Sequence, residues 1–222
     1  VWGLGYDRDD QTLFASAFMK RHAGLGALGI GGIYTANVTN STYGSTGVYV
    51  DVRTLGIQVD APSGLYNVPD NGTRGLLVTT SSDATIDNTG IWQVGKVGIG
   101  DIEVDEANHV LYFTNLYQRT VHGIRIGSPL KSTLSASDAF TVTNAPWLSS
   151  ANCTAGLERP FATKVYGRKL YIGTVCTGED VNPTGTNTWT SPYNQLTAQV
   201  YAYDITGGTW SLAFGPHNLG SY

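Results

Sequence analysis

The densest candidate for binding chemistry is a glycine-rich stretch that follows the basic residues Lys20, Arg21 and His22. Glycines recur from position 24 to position 32, and the backbone N–H groups of such a loop can cradle an anion. The stretch does not match GxxxxGK[ST], and it lacks the strand-then-helix setting of a dinucleotide site. We therefore interpret residues 20–32 as a long, close-packed connection between two strands, and anion binding is the alternative.

Acidic side chains form two clusters that could hold Ca²⁺ through oxygen ligands. The clusters are Asp7, Asp9 and Asp10 with Arg8 between them, and Asp101, Glu103, Asp105 and Glu106. The EF-hand loop pattern is absent, and the members of the second cluster alternate along a predicted strand. Turn capping by Asp7 and Asp105 is the simpler interpretation. We therefore predict no cofactor and no metal site, and calcium is the alternative.

No residue pattern indicates catalysis. The histidines are scattered without metal-ligand spacing, at His22, His109, His122 and His217. Neither GxSxG nor HExxH occurs, and no pair of carboxylates suits glycoside cleavage. A site assembled from distant segments would have no linear motif, so this absence counts only modestly against an enzyme.

Two cysteines, Cys153 and Cys176, bracket a predicted pair of strands. No histidine cluster lies near them, which disfavours a zinc site. The weakly charged, extracellular-looking composition favours a disulfide between them, and the chain-entropy model gives such a bond about 3 kcal/mol. Two reduced cysteines buried separately are the alternative.

Sequons for N-glycans in a secreted eukaryotic protein begin at Asn37, Asn40, Asn71 and Asn152. A chain this rich in Asn, Ser and Thr would contain a few by chance, so glycosylation at these positions is a hypothesis rather than an expectation.

Aromatic side chains on loops are the predicted contacts with a partner protein or a glycan, because ring faces bury a large area at little entropy cost. They are Tyr66, Trp147, Trp189 and Tyr193. Long insertions rich in Ser, Thr, Asn and Gly occupy 60–90, 127–150 and 178–195, and insertions of this length are usually functional or disordered. Core packing is the simpler expectation for Trp2 and Trp210.

Composition limits the class of protein that positions these residues. Charged residues make up 14% of the 222 residues and the net charge is −4, so nucleic acid and anionic lipid are poor electrostatic matches. No apolar run reaches the roughly 18 residues of a membrane span. Hydrophobic residues at 41% and aromatic residues at 11% disfavour disorder.

Short alternating runs separated by turn residues predict strands, and these strands repeat along the chain. Asp7 aligns with Asp105 and Leu13 with Leu111 without a gap. The paired strands of the three copies are 4–7 with 13–16, 102–105 with 111–114, and 162–165 with 170–174. A further strand follows each pair, at 32–35, 123–126 and 200–204. Candidate outer strands come next, at 48–59, 140–143 and 209–214.

The repeat predicts an all-β fold of four-stranded antiparallel units at about 1–59, 91–143 and 160–214, arranged radially as blades of a β-propeller. A β-sandwich would explain the alternation but not the repeated Asp-turn-Leu-aromatic motif. Propellers typically close with about 4–8 blades. We therefore expect the visible blades to be part of a ring and the chain to be a piece of a longer polypeptide, while a complete small domain is the alternative.

Several segments resemble the propeller-like module of large secreted bacterial surface proteins, which carry downstream Cna-B/SdrD-like or other immunoglobulin-like repeats. The similar segments are 1–7, 18–26 with 31–34, 94–102, 111–116, and 159–165 with 170–173. The resemblance covers most of the chain in order, apart from the insertions. It implies an extracellular, non-enzymatic module of a cell-surface, adhesion or filament protein. In it the two cysteines flank the same Arg-Pro-Phe segment, 159–161, which fits the disulfide.

We therefore expect an extracellular structural or adhesion module that acts through protein contacts, self-assembly or glycan contacts. The alternative is a secreted propeller enzyme, such as a polysaccharide lyase, a glycosidase or a quinoprotein. A quinoprotein would need a tryptophan that stacks on the cofactor, and the five tryptophans form no obvious set for this.

Overall fold

The computed structural model describes residues 2–39, 46–76, 87, 89–149, 153, 156–177 and 196–219. The strands in these residues form three four-stranded antiparallel sheets. Sheet 1 contains β1 (Leu4–Asp7), β2 (Thr12–Ser16), β3 (Gly32–Asn37) and β4 (Thr46–Asp51). Sheet 2 contains β5 (Ile99–Asp105), β6 (Val110–Asn115), β7 (Thr120–Arg125) and β8 (Ala139–Val142). Sheet 3 contains β9 (Glu158–Tyr166), β10 (Lys169–Cys176), β11 (Thr197–Asp204) and β12 (Thr209–Asn218).

Helical structure in the described residues is limited to short segments. The α-helix α1 spans Gly90–Gln93, and 3₁₀ turns span Gly29–Gly31, Val52–Leu55, Ala136–Asp138 and Pro146–Leu148. None of these segments is long and apolar enough to cross a membrane. The prediction of an all-β fold is confirmed.

Each sheet is a meander, because its strands are hydrogen-bonded in the order in which the chain forms them. The predicted alignment of the copies holds in the register. Leu13 pairs with Tyr6 across β1 and β2, and Leu111 pairs with Val104 across β5 and β6. The prediction of repeated four-stranded antiparallel units is therefore confirmed.

Aspartates at strand ends shape the tight turns, as the sequence predicted for Asp7. The Asp7 carboxylate accepts hydrogen bonds from the backbone N–H groups of Asp9 and Asp10, at 3.0 and 3.3 Å. Asp204 holds the turn between β11 and β12 in the same way. Asp105 instead accepts from the side-chain amide of Asn108, at 2.7 Å. In the turns after Asp7 and Asp204 the carboxylate satisfies backbone N–H groups that the strand ladder leaves unpaired.

Sheet 2 lies between the other two sheets. Strands β1 and β2 contact β5, and strands β5 and β6 contact β9. One buried cluster joins sheets 1 and 2 and includes Phe14, Ile33, Ile102, Val104, Leu111, Phe113 and Ile124. A second cluster joins sheets 2 and 3 and includes Val110, Tyr112, Val121, Val142, Leu170, Ile172 and Tyr201. The core therefore sits in two layers, one at each junction between sheets.

Strand β1 approaches β5 closely because glycines face the junction. A Cβ atom on Gly3 would lie 2.6 Å from the backbone nitrogen of Ile102, which no side chain tolerates. A Cβ atom on Gly5 would lie 3.2 Å from a Val104 methyl carbon. The alternation of β1 thus places glycine toward sheet 2 and large residues, such as Leu4, on the opposite face.

The glycine-rich stretch connects β2 to β3, as predicted. Phe18 forms a bridge with Gly98 near its start, and the 3₁₀ turn Gly29–Gly31 ends it. The side-chain amide of Asn71 pairs with both backbone groups of Leu25, at 2.9 and 3.0 Å. The stretch is therefore held by packing and by contacts with a neighbouring loop.

The prediction of an outer strand over 48–59 is wrong in its second half. Strand β4 ends at Asp51, whose carboxylate accepts from the backbone N–H of Arg53 at 3.0 Å and starts a 3₁₀ turn. Gly56 follows with a φ of 83°, a left-handed conformation that stops both strand and helix. Val52, Leu55, Ile57 and Val59 are buried in a turn rather than in a ladder.

Candidate functional site

A cleft beside Trp2 is the candidate site. We call it the Trp2 cleft, and its lining residues are Trp2, Val94, Gly95, Lys96, Phe161, Val175 and Thr177. Its volume is about 440 Å³. The Trp2 side chain is 61% exposed, and its ring stacks on Phe18 at a centroid distance of 5.4 Å. An exposed indole that is held on one side by another ring presents its free edge and face to a partner.

Elements from all three sheets position the lining residues. Trp2 lies two residues before the start of β1, Phe161 lies in β9, and Val175 lies near the end of β10. The loop 94–96 lies between α1 and β5 and fits under the Phe161 ring, because a Cβ on Gly95 would lie 3.3 Å from that ring. Gly95 has a φ of 74°, so glycine is favoured there for its conformation as well.

A buried arginine holds the loop 94–96 in place. The Arg159 guanidinium is buried and donates to the carbonyl oxygen of Lys96 at 3.3 Å. It also donates to the carbonyl oxygen of Leu116. Because an arginine has several donors in a rigid fork, it can join β9 to two segments of sheet 2 at once.

The Trp2 cleft is suited to binding rather than to acid–base chemistry. Lys96 is the one charged residue among the lining residues, and no carboxylate, histidine or thiol is among them. Aromatic and aliphatic walls with a hydroxyl at Thr177 provide stacking and a few hydrogen bonds. Such walls favour an uncharged ligand with a flat apolar face.

The structure corrects the expectation that Trp147 contacts a partner. Trp147 is 1% exposed and lies in the 3₁₀ turn Pro146–Leu148. Its indole N–H donates to the carbonyl oxygen of Arg119 at 2.6 Å. Its ring packs against Tyr201 and Trp210, with centroids 5.6 and 5.1 Å away. Trp147 therefore belongs to the core between sheets 2 and 3.

The remaining predicted contact residues have different outcomes. Tyr66 is partly buried, packs against the core and lies 6.5 Å from the Tyr117 ring. Trp189 and Tyr193 lie outside the described residues.

Sequence reasoning placed Trp2 in the core, and this was wrong. The alternation of Trp2, Leu4 and Tyr6 against Gly3 and Gly5 was the signal that could have revealed its exposure.

The predicted disulfide is present. The sulfur atoms of Cys153 and Cys176 are bonded, with the Cα atoms 5.2 Å apart. The bond ties the segment before β9 to the end of β10, and Cys176 is fully buried.

The candidate glycosylation sites differ in accessibility. Asn37 is exposed at the end of β3, and its side-chain oxygen accepts from the backbone N–H of Thr39 at 2.8 Å. Asn71 is partly buried, and its amide nitrogen donates to Leu25. Asn40 and Asn152 lie outside the described residues. Asn37 is therefore the better placed of the two described acceptors.

The acidic residues of β5 join sheets rather than converge on one point. The Asp101 carboxylate accepts from the backbone N–H of Thr163 at 2.9 Å, and Lys164 donates to Glu103 at 2.5 Å. Burial raises the pKa of Asp101 and of Glu103, and these hydrogen bonds oppose the rise. Among the described residues, no group of three or more His, Cys, Asp or Glu could hold a metal ion.

A buried ion pair that sequence reasoning missed contacts the glycine-rich stretch and the start of α1. Arg74 and Asp87 are buried, and the guanidinium donates to the carboxylate at 2.7 Å. Burial would raise the pKa of Asp87, but hydrogen bonds from Arg74 and from the backbone of His22 and Gly90 lower it to about 2. Arg74 also donates to carbonyl oxygens of the glycine-rich stretch. No sequence motif marks this pair.

The chain is similar to two much longer curated proteins from Dictyostelium discoideum. It is 28% identical to Colossin-D over 181 residues, which cover 81% of this chain and 16% of Colossin-D. It is 25% identical to Colossin-B over 179 residues, which cover 80% of this chain and 4% of Colossin-B. The chain thus spans a small part of each relative. No family model matches it.

Solved structures share its architecture only distantly. One is a nidogen/laminin complex, with a TM-score of 0.43 and 9% identity over 95% of this chain and 46% of the other. Another is a GH74 xyloglucanase from Xanthomonas campestris, with a TM-score of 0.42 and 12% identity over 96% of this chain and 23% of the other. Similarity at this level indicates no function.

Proposed function

We propose that the chain is an extracellular structural or adhesion module of a longer cell-surface or filament protein, and that it acts through non-covalent protein or glycan contacts rather than through catalysis. The observation that carries the proposal is the Trp2 cleft, an open site whose walls are aromatic and aliphatic and whose lining includes no acid–base pair. Aromatic rings are the side chains that stack on the apolar faces of sugars and on partner side chains.

The sheet arrangement supports a β-propeller as the finer description of the fold. Each sheet is a four-stranded meander, and the first strands, β1, β5 and β9, contact one another in sequence. Blades of a propeller pack through such first strands around an axis. The three sheets are then consecutive blades of a ring, and the ring needs further blades to close.

Two features support an extracellular location. The disulfide between Cys153 and Cys176 persists in oxidising compartments and is rare in the cytosol. Asn37, the first residue of a sequon, is exposed. The similarity to bacterial surface proteins with Cna-B/SdrD-like repeats belongs to the same proposal. The Dictyostelium relatives neither support nor oppose that part of it.

The test is binding of the 222-residue chain to a panel of neutral oligosaccharides, measured by calorimetry and by NMR titration. We expect Trp2→Ala to weaken binding about 10-fold or more, because the stacking surface is lost. Trp92→Ala is the matched control, since Trp92 is also exposed but does not line the cleft. Raising the salt concentration should change the affinity little, because the oligosaccharides are neutral.

The same panel decides between binding and catalysis. Turnover of any oligosaccharide that persists in Trp2→Ala would contradict the proposal and indicate a secreted enzyme. Binding that survives Trp2→Ala but is lost in Tyr66→Ala, Trp189→Ala or Tyr193→Ala would move the contact surface to the insertions 60–90 and 178–195.

A further inference from the structure

Two N-glycosylation sequons lie wholly within the described residues, and their surroundings differ. Residues 37–39 read Asn-Val-Thr at the end of β3. Residues 71–73 read Asn-Gly-Thr in the loop that contacts the glycine-rich stretch. A glycan is attached through the side-chain nitrogen of the asparagine, Nδ2. The two sequons can therefore be compared at the atom that would react.

In the sequon 37–39 the fold does not use this nitrogen. Asn37, Val38 and Thr39 are all exposed. The Asn37 Oδ1 accepts hydrogen bonds from the backbone N–H of Thr39, at 2.8 Å, and from the Thr39 hydroxyl. Within the described part of the chain, the Nδ2 atom of Asn37 makes no hydrogen bond. The oxygen therefore orients the amide, and the nitrogen is available for a bond to a sugar.

The backbone holds this sequon at one end of sheet 1. Asn37 pairs with Thr12, the first residue of β2, and the backbone N–H of Val38 donates to the carbonyl oxygen of Gln11 at 2.9 Å. The sequon therefore lies beside the turn that follows β1. Trp2 lies two residues before the start of β1, at the opposite end of the sheet. A glycan on Asn37 thus leaves the Trp2 cleft open.

In the sequon 71–73 the fold uses the same nitrogen. Asn71 is partly buried, and its Nδ2 donates to the carbonyl oxygen of Leu25 at 3.0 Å. A Cβ atom on Gly24 would lie 3.0 Å from this nitrogen, so the gap does not hold one further carbon atom without a shift. The Thr73 hydroxyl donates to the Asp70 carboxylate at 2.7 Å. A glycan on Asn71 would therefore have to displace the glycine-rich stretch.

We propose that Asn37 carries an N-linked glycan in the secreted protein and that Asn71 stays unmodified. In the transfer, a bond forms between Nδ2 and the anomeric carbon of a sugar, and the bond from that carbon to a phosphate oxygen of a glycosyl-diphosphate donor breaks. The diphosphate leaves with the electron pair, and Nδ2 loses a proton.

This inference rests on the extracellular location in the proposed function, because sequons are modified in secreted eukaryotic proteins. The curated relatives come from a eukaryote, Dictyostelium discoideum.

The experiment maps the modified asparagines in the 222-residue chain, expressed in Dictyostelium discoideum cells behind a cleavable signal peptide. The added signal supplies the location, so the result does not depend on where the natural chain goes. A peptide N-glycosidase in heavy-oxygen water converts each glycosylated asparagine to a labelled aspartate, and fragment-ion mass spectrometry locates the label. We expect the label at Asn37 and none at Asn71, in protein from the medium and in any protein that the cells retain.

Two substitutions of one residue form a matched pair. Thr39→Val removes the hydroxyl at nearly the same side-chain volume and should abolish the label at Asn37, whereas Thr39→Ser keeps the sequon and should retain it. Asn37→Gln should lower the mass of the protein by that of the glycan. Thr73→Val is the control, because it destroys the other described sequon and should leave the mass of the glycan unchanged.

A label at Asn71, or an unmodified Asn37, would overturn the inference. A label at Asn37 that survives Thr39→Val would overturn it equally. Circular dichroism and the mass of the disulfide-bonded form establish that each variant is folded. Oligosaccharide binding by Asn37→Gln tests the Trp2 cleft separately, so failure of either idea is visible without the other.

Discussion

His122 is the residue whose environment differs most from water among the described histidines. It is buried in β7, and its ring stacks on Phe113 at 5.3 Å between centroids. Its ring nitrogens contact the hydroxyls of Thr120 and Thr141 at 2.9 and 3.2 Å. Burial lowers the pKa of His122 to about 4, and a hydrogen bond with the backbone of Phe140 opposes this only in part. The folded protein therefore holds this imidazole neutral.

This pKa predicts a loss of stability in mild acid. The unfolded chain takes up a proton at His122 near pH 6.5, whereas the folded chain does so only near pH 4. Stability falls as the pH drops through this window and levels off below it. Between pH 7.5 and pH 4.5, the free energy of unfolding should fall by about 2 kcal/mol more in the wild type than in His122→Phe. Urea unfolding of both proteins at the two pH values measures the difference.

Carboxylates also titrate over this pH range, but they do so equally in the wild type and in His122→Phe. The difference in pH dependence between the two proteins therefore reports on His122. His109→Phe is the control, because His109 lies in a turn of the same sheet. Equal pH dependence of His122→Phe and the wild type would contradict a buried neutral imidazole.

At the residue scale, alternation in sequence predicted the faces of strands but not of turns. Trp147 was assigned to a contact surface because it lies between strands. Its 3₁₀ turn folds the ring onto Tyr201 and Trp210, which are remote in sequence, and no local pattern contains that contact. Arg74 and Asp87 were missed for the same reason, because a buried ion pair between loops has no periodicity.

At the element scale, the disulfide closes the β9–β10 hairpin and should supply much of its stability. The bonded cysteines are separated by 23 positions, and a loop of that length corresponds to about 3 kcal/mol on the chain-entropy model. We expect the double variant Cys153→Ser and Cys176→Ala to lose about this much free energy of unfolding in urea.

Reduction of the wild type provides the control for that prediction. Intact mass should rise by two hydrogens on reduction, and the reduced protein should unfold at the urea concentration of the double variant. Thiols that alkylate without reductant, or equal stability with and without the bond, would show that the hairpin does not depend on it.

The strands themselves were largely predictable, because each copy of the repeat carries the same alternation and the first two copies share a turn aspartate, Asp7 and Asp105. The error at 48–59 is instructive. Valine, leucine and isoleucine continue through this segment, but Asp51 caps a 3₁₀ turn and Gly56 adopts a left-handed conformation. Burial of apolar residues in a turn and in a strand requires the same composition, so composition alone could not place the end of β4.

At the scale of the whole molecule, equivalent positions in the repeat have unequal burial. The sequence alignment predicts that Leu4 and Ile102 are alike, yet the first is exposed and the second is buried. The difference is a property of the neighbours that each sheet has, and it cannot be predicted from a strand's own residues. This unequal burial also predicts that the three sheets differ in their free energy of local opening.

Amide hydrogen exchange measures that difference. Every residue of β6 is buried and sheet 2 is covered on both faces, so its amides should exchange only on global unfolding. Strand β2 is also central in its sheet, but Leu13 and Ala15 on its open side are less buried. We expect β2 amides to exchange about 10-fold faster than β6 amides or more, because sheet 1 opens locally. Uniform protection of β2 and β6 would mean that the three sheets unfold as one cooperative unit, and that the exposure of Leu4 and Val48 costs sheet 1 no local stability.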